Sequence, residues 1–307
     1  MSKVLLLILT VLFTVNIYPQ SAADLSKRGT KRFAQGDYDG AIADFTQVIE
    51  LTSRLDNPRA ISSNNFAEQN PDMTYWRENV RVIDPRTARA YMNRANVFFA
   101  KDDMDRAIND YDRALAIAPA SAGLYFCRGT AWLIKRELER ALADYEKAVK
   151  LDPRFAKGYL GRALVETDSG DTAAAFQDYD QAIKLAPKNA ELYYYRGDGR
   201  LRAGDADGAL ADFEYAIKLD PRVANPYMGR GTLRFYQKEF DAALKDLTTA
   251  INLDGRLAPA YRDRGLVYLA VGNDAEAEKD FVRAVSLSPR LGPEIEKKSS
   301  VVKSWRK

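Results

Sequence analysis

Apolar and small residues recur along the chain with the spacing of one helix face. In one stretch Tyr125, Gly129 and Trp132 follow an i, i+4, i+7 spacing, and in the next Ala141 and Tyr145 begin a stripe of the same kind. A short polar break separates the two stretches. The pattern therefore predicts two amphipathic helices in succession rather than strands.

This pair of helices returns along the chain with a period of 34 residues, interrupted once after the first copy. One small residue marks the same place in six copies: Ala107, Ala141, Ala175, Ala209, Ala243 and Ala277. A period in this range is typical of stacked helical repeats, in which each copy buries its apolar face against its neighbours.

Turn residues mark the ends of the predicted helices. Glycine stands between the two helices in four copies: Gly36, Gly170, Gly204 and Gly272. A residue suited to capping the second helix follows in five copies: Asp37, Asp103, Asp171, Asp205 and Asn273. Proline ends the second helix in five copies: Pro119, Pro153, Pro187, Pro221 and Pro289. Because the connection is so short, we expect the two helices of a copy to lie antiparallel.

One copy carries a recognisable set of signature residues: Tyr125, Gly129, Trp132, Ala141, Tyr145, Ala148 and Pro153. These resemble the tetratricopeptide repeat, and seven repeats begin near residues 22, 88, 122, 156, 190, 224 and 258. The resemblance implies an all-α, right-handed superhelical solenoid of about seven antiparallel helix pairs, with the first helices lining a concave face. We assign the first repeat to residues 24–52 and six contiguous repeats to residues 85–291.

Two charged residues occur in every repeat and one of them departs from the family pattern. Arginine stands at repeat position 7, where the family usually has a leucine-like residue: Arg28, Arg94, Arg128, Arg162, Arg196, Arg230 and Arg264. Aspartate stands at repeat position 23: Asp44, Asp110, Asp144, Asp178, Asp212, Asp246 and Asp280. In an antiparallel pair these positions lie at nearly the same height, which favours an internal arginine–aspartate ladder. The alternative is a basic strip that binds an acidic ligand.

Positions 5 and 9 of the first helices differ from repeat to repeat, as a partner-binding surface requires. The candidate partner-binding residues are Met92, Asn96, Phe126, Thr130, Tyr194, Asp198, Met228 and Thr232. An apolar stripe with polar neighbours suits an extended peptide or an amphipathic helix. The alternative is that these side chains only fill the space between adjacent first helices.

Two segments lie outside the repeats. Residues 53–84 form an insertion rich in Ser, Asn and Pro, and loops of this length are often functional. We interpret the insertion either as a binding loop or as a surface excursion with a short helix at residues 73–82. Residues 292–307 predict a C-terminal capping helix that begins at Pro293.

The first residues of the chain have a different composition. Lys3 precedes an apolar run at residues 4–15, and the small residues Ser21 and Ala23 follow. This order is typical of a secretory signal peptide, so we expect residues 1–23 to be cleaved after Ala23 and the protein to be exported to the periplasm or the extracellular space. The alternative is an uncleaved membrane anchor, although the run is shorter than the ~20 residues that span a bilayer.

Composition narrows the function further. The 46 basic and 43 acidic residues nearly balance, and no long run of like charge indicates nucleic-acid binding. The chain contains no histidine and one cysteine, which removes the most common general base and metal ligand. We therefore expect no enzyme activity, no small-molecule substrate, no cofactor and no metal site.

The sequence thus predicts an exported scaffold that binds a peptide or helix of a partner protein in the groove of its first helices. The alternative is a structural or assembly protein of the cell envelope, in which the array spaces other components without a defined peptide groove.

Overall fold

The structure, a computed structural model, describes residues 21–54 and 84–305. Every regular element in these ranges is helical, and the chain divides into an N-terminal body that ends at Leu151 and a C-terminal body that begins at Asp152. The apolar run of the predicted signal peptide lies outside the described residues. So do residues 55–83, which are most of the predicted insertion at residues 53–84 and contain the short helix expected if the insertion is a surface excursion.

The N-terminal body contains three described helix pairs. Its helices are α1 (Ala22–Ala34), α2 (Tyr38–Arg54), α3 (Pro85–Ala100), α4 (Met104–Ile117), α5 (Ala122–Ile134) and α6 (Leu138–Leu151). The two helices of each pair pack against each other, and the second helix of one pair packs against the first helix of the next.

The C-terminal body contains four helix pairs and one additional helix. Its elements are α7 (Ala156–Ser169), α8 (Thr172–Leu185), α9 (Ala190–Arg202), α10 (Ala206–Leu219), α11 (Ala224–Tyr236), α12 (Phe240–Leu253), α13 (Ala258–Ala270), α14 (Asp274–Leu287), a 3-10 turn (Pro289–Leu291) and α15 (Gly292–Ser304). The packing order is the same as in the N-terminal body. The predicted all-α fold of consecutive helix pairs is therefore confirmed.

The turn between the two helices has the same backbone geometry in all seven described repeats. One turn residue has a positive φ in each repeat: Gly36, Asp102, Arg136, Gly170, Gly204, Lys238 and Gly272. The residue predicted to cap the second helix follows this turn residue. For example, the Asp205 carboxylate accepts a hydrogen bond from the Gly208 backbone N–H at 2.9 Å. Side chains in this left-handed region cost about 1–2 kcal/mol. The helix pairing thus imposes the turn even in the three repeats where glycine did not mark it.

Close approach of the two helices explains the small residue at repeat position 8. A Cβ added at Gly129 of α5 would lie 3.0 Å from Cε1 of Tyr145 and 3.2 Å from Cβ of Asp144. Both of these α6 residues are buried. Gly123, at the exposed start of the same helix, has no such neighbour within 4 Å.

These two glycines provide a matched pair for testing the helix packing. Both substitutions by alanine gain helix propensity of up to about 1 kcal/mol. We expect Gly123→Ala to raise the free energy of unfolding slightly, and Gly129→Ala to lower it by about 1–3 kcal/mol because the added Cβ would crowd the buried Tyr145 ring. Urea unfolding followed by circular dichroism measures both variants. Equal effects of the two substitutions would contradict the close packing at position 8.

Candidate functional site

The arginines at repeat position 7 lie against the aspartates at position 23 of the same repeat. Arg94 donates from Nε to Asp110 at 2.7 Å and from Nη2 at 2.8 Å, so the planar guanidinium faces both carboxylate oxygens. The same two-pronged pairing joins Arg28 to Asp44, Arg128 to Asp144, Arg162 to Asp178, Arg196 to Asp212, Arg230 to Asp246 and Arg264 to Asp280. All seven aspartates are buried.

The remaining guanidinium nitrogen of several arginines, Nη1, donates to the second helix of the preceding repeat. Within the C-terminal body, Arg196 donates from Nη1 to Asp180 at 2.7 Å. Arg94 of the N-terminal body donates in the same way to the Thr46 hydroxyl at 2.9 Å. The hydrogen bonds that Arg196 donates to Asp212, opposed by burial, raise the pKa of Arg196 above its ordinary value. These arginines therefore join three helices and direct their donors into the array, which supports a ladder over a strip open to an acidic ligand.

A second arginine strengthens the ladder in three repeats, and sequence reasoning missed it. At repeat position 11, Arg200 and Arg234 donate from Nη1 to Asp212 and Asp246, both at 2.8 Å. Arg32 forms an ion pair with Asp44, with its Nη1 3.0 Å from the carboxylate. In repeats 2, 3 and 7 the same position holds an aromatic residue: Phe98, Trp132 and Tyr268. The sequence could have indicated this second arginine, because in these three repeats it follows the arginine of position 7 by four residues.

Several of the candidate partner-binding residues make hydrogen bonds inside the array. The Tyr111 hydroxyl donates to Asn96 at 2.6 Å and the Tyr145 hydroxyl donates to Thr130 at 3.2 Å. Burial raises the pKa of Tyr145 to about 12, so its hydroxyl stays protonated and needs an acceptor. The polar character of Asn96 and Thr130 therefore has a reason within the fold.

The apolar candidates are only partly accessible. Tyr194 is 9% exposed, and its ring lies 6.1 Å from that of Phe213. Phe126 is half-buried, with its ring 5.8 Å from Tyr145. Met92 and Met228 are half-buried as well and pack against buried clusters in their own bodies.

The remaining polar candidates take part in charged networks of the C-terminal body. Asp198 accepts from Nε of Arg202 at 2.9 Å, and the same arginine reaches Asp168 from Nη1 at 3.1 Å. Thr232 donates at 2.7 Å to Asp263, which is 3% exposed. The structure thus brings the position 9 residues into contacts between neighbouring helices.

Positions 5, 9 and 12 of the first helices share one helix face because their spacing is i, i+4, i+7. We call this face the first-helix surface. In the C-terminal body, α15 packs on it rather than covering the outer face of the last pair. Arg262, at position 5 of α13, donates from Nη1 to both oxygens of Glu294 at 3.1 and 3.0 Å. Phe235, at position 12 of α11, lies 5.3 Å from the Trp305 ring.

Apolar burial and charge both hold α15 in place. Ile295 and Val302 are buried, and Val302 joins the apolar cluster that contains Phe235 and Leu266. Burial alone would raise the pKa of the Glu294 carboxyl. The hydrogen bond from Lys298 and the charge of Arg262 outweigh burial and hold that pKa below its ordinary value.

Other kinds of site are not found in the described part of the chain. Among residues 21–54 and 84–305, no group of three or more His, Cys, Asp or Glu side chains is arranged to hold a metal ion. No helix in those ranges is both long enough and apolar enough to cross a bilayer.

Comparison with known families matches the tetratricopeptide repeat along most of the repeat region. The matches cover residues 88–121, the overlapping ranges 133–190, 165–224 and 194–247, and residues 258–291. The chain therefore belongs to the tetratricopeptide repeat family, as its signature residues predicted. A search of curated proteins found no match.

Solved structures agree on the fold. A tetratricopeptide repeat protein from Parabacteroides merdae is 19% identical, with a TM-score of 0.67 over 92% of this chain and 99% of that one. The APC/C hetero-tetramer Cut9–Hcn1 is 16% identical, with a TM-score of 0.61 over 94% of this chain and 56% of that one. Pseudomonas aeruginosa pilF is 17% identical, with a TM-score of 0.54 over 70% of this chain and 96% of that one.

Family and fold together support a scaffold for protein–protein interaction. Members of this family generally bind protein or peptide partners, and the fold is typical of non-catalytic scaffolds.

The ladder can be tested with two arginines in equivalent places. The side chains of Arg230 and Arg264 are both 17% exposed. After Arg230→Leu, Arg234 still pairs with Asp246, so we expect a loss of about 1–3 kcal/mol in the free energy of unfolding. Arg264→Leu leaves the buried Asp280 without an ion pair, and we expect a loss of about 3–5 kcal/mol. Urea unfolding measures both, and equal losses or unchanged stability would contradict the ladder's role.

Proposed function

We propose that the protein is an exported scaffold that binds a segment of a partner polypeptide along its first-helix surface. The main support for the proposal is the position of α15. This segment is not part of any repeat, yet it packs on the first-helix surface. Variation supports it as well: the ladder is copied in every repeat, whereas positions 5 and 9 change from apolar to polar. A surface that selects one partner needs such variation.

A second candidate is an envelope spacer without a peptide groove. It is favoured by the hydrogen bonds of Asn96, Thr130 and Thr232, which serve contacts inside the array. The two proposals differ in one respect, since a spacer does not require access to the first-helix surface.

Binding along the first-helix surface predicts that Met92→Ala combined with Phe126→Ala weakens capture of a partner polypeptide by at least about tenfold, because truncating an interface anchor costs more than ~1 kcal/mol. Pull-down with the purified chain from an extract of the exported compartment, followed by titration of the recovered polypeptide, measures the loss. Tyr215→Ala is the control, because this large side chain is 43% exposed on the second helix α10. Melting curves must show that the double variant is folded. Undiminished binding would favour the spacer.

Export predicts a chain that begins at Asp24. Cleavage after Ala23 would remove Ser21, whose hydroxyl accepts a hydrogen bond from the Asp24 backbone at 3.1 Å and caps α1. Intact mass of the protein recovered from the periplasm or medium identifies the first residue. A chain that retains residues 1–23 would contradict export with cleavage. In that chain, Ser21→Ala should lower the free energy of unfolding by about 1 kcal/mol, because it removes the cap of α1.

A further inference from the structure

The C-terminal helix α15 does not continue the stack of helix pairs. In α12, Ile251 is buried beneath the next first helix, as is Leu115 in α4. The equivalent residue of α14, Val285, is 37% exposed, and Val282 beside it is 61% exposed. This face of α14 is open because α15 turns back and lies across α11 and α13.

The place where α15 lies is held together by hydrogen bonds between residues of α11 and α13. Thr232 of α11 donates to Asp263, and Arg262 donates from Nε to the other oxygen of Asp263 at 2.7 Å. This chain of contacts holds the Arg262 guanidinium with Nη1 directed at Glu294. A fixed cation beside the apolar cluster around Phe235 and Leu266 suits a helix with one acidic and several apolar side chains on one face.

The helix that occupies this place is held by few contacts. Only Ile295 and Val302 are buried along α15, and no side chain caps its start. Val301 is 51% exposed and Trp305 is 41% exposed. Isolated helices of this length are marginal in water, so the docked helix depends on the surface beneath it.

We infer that the first-helix surface of repeats 6 and 7 is a helix-binding site, and that α15 is an intramolecular ligand that a partner helix displaces. This inference rests on the proposed function and specifies the chemical character of the partner. That partner is an amphipathic helix with an acidic residue, an aliphatic residue directly after it and a second aliphatic residue seven positions further on. Glu294, Ile295 and Val302 display this pattern in α15.

The test uses the full chain and a labelled peptide with the sequence of residues 291–305. A tethered helix has an effective concentration of about millimolar, so docked α15 should suppress binding of the peptide. We expect Val302→Asp to release α15 and to tighten peptide binding at least tenfold in fluorescence anisotropy. Val301→Asp is the matched control. Because Val301 is next to Val302 but exposed, this substitution should leave α15 docked and peptide binding unchanged. Hydrogen exchange of residues 294–304 reports the release, and melting curves report the fold.

A second pair of changes locates the site. In the Val302→Asp chain, Arg262→Gln should weaken peptide binding about tenfold, and so should Glu294→Gln in the peptide. Combining the two should cost little more than either alone, because both remove the same contact. A peptide with Ile295 and Val302 exchanged for the neighbouring Glu296 and Lys303 should not bind.

Two results would overturn the inference: a released α15 with no gain in peptide binding, or a gain that Arg262→Gln leaves unchanged. Either result leaves the proposed function standing if partner capture still depends on Met92 and Phe126 in the N-terminal body. Loss of that dependence alone would instead remove the proposed function.

Discussion

A buried carboxylate that must remain paired is the constraint on which every repeat depends. The aspartate at position 23 lies where the two helices of a repeat meet, and an unpaired charge there would be strongly destabilising. The arginine at position 7 donates two hydrogen bonds to this carboxylate. Its remaining nitrogen can donate to the preceding repeat, as Nη1 of Arg196 does to Asp180. One residue type thus fixes both the packing within a repeat and the register between neighbours.

The end of the C-terminal body shows what happens when this ladder stops. Position 25 supplies an acceptor to the next arginine, as Asp180 does for Arg196 and Thr248 does for Arg264. In the last repeat that position is Val282, whose side chain cannot accept a hydrogen bond. The ion pair that holds α15 is made instead on the first-helix surface, between Arg262 and Glu294.

Much of this architecture could be predicted from the sequence, and the exceptions have a common cause. Sevenfold repetition favoured a contact between the arginine and the aspartate of the repeats, because both charges are copied at a fixed separation, but it left a basic strip for an acidic ligand as the alternative. Arg200 was missed because it occurs in three repeats only, and its contact with Asp212 depends on how the two helices are rotated. The role of Asn96 was missed because a tyrosine on the opposite helix had to reach it.

The sequence by itself determined the helices and their pairing and favoured the ladder, because these follow from periodicities of a few residues and from a repeat that is copied along the chain. The tertiary structure decided which varied side chains remain accessible and where α15 lies. An amphipathic pattern such as that of Ile295 and Val302 requires an apolar surface but does not specify which one. That choice depends on the positions of Arg262 and Phe235 on two different helices, which only the folded chain brings together.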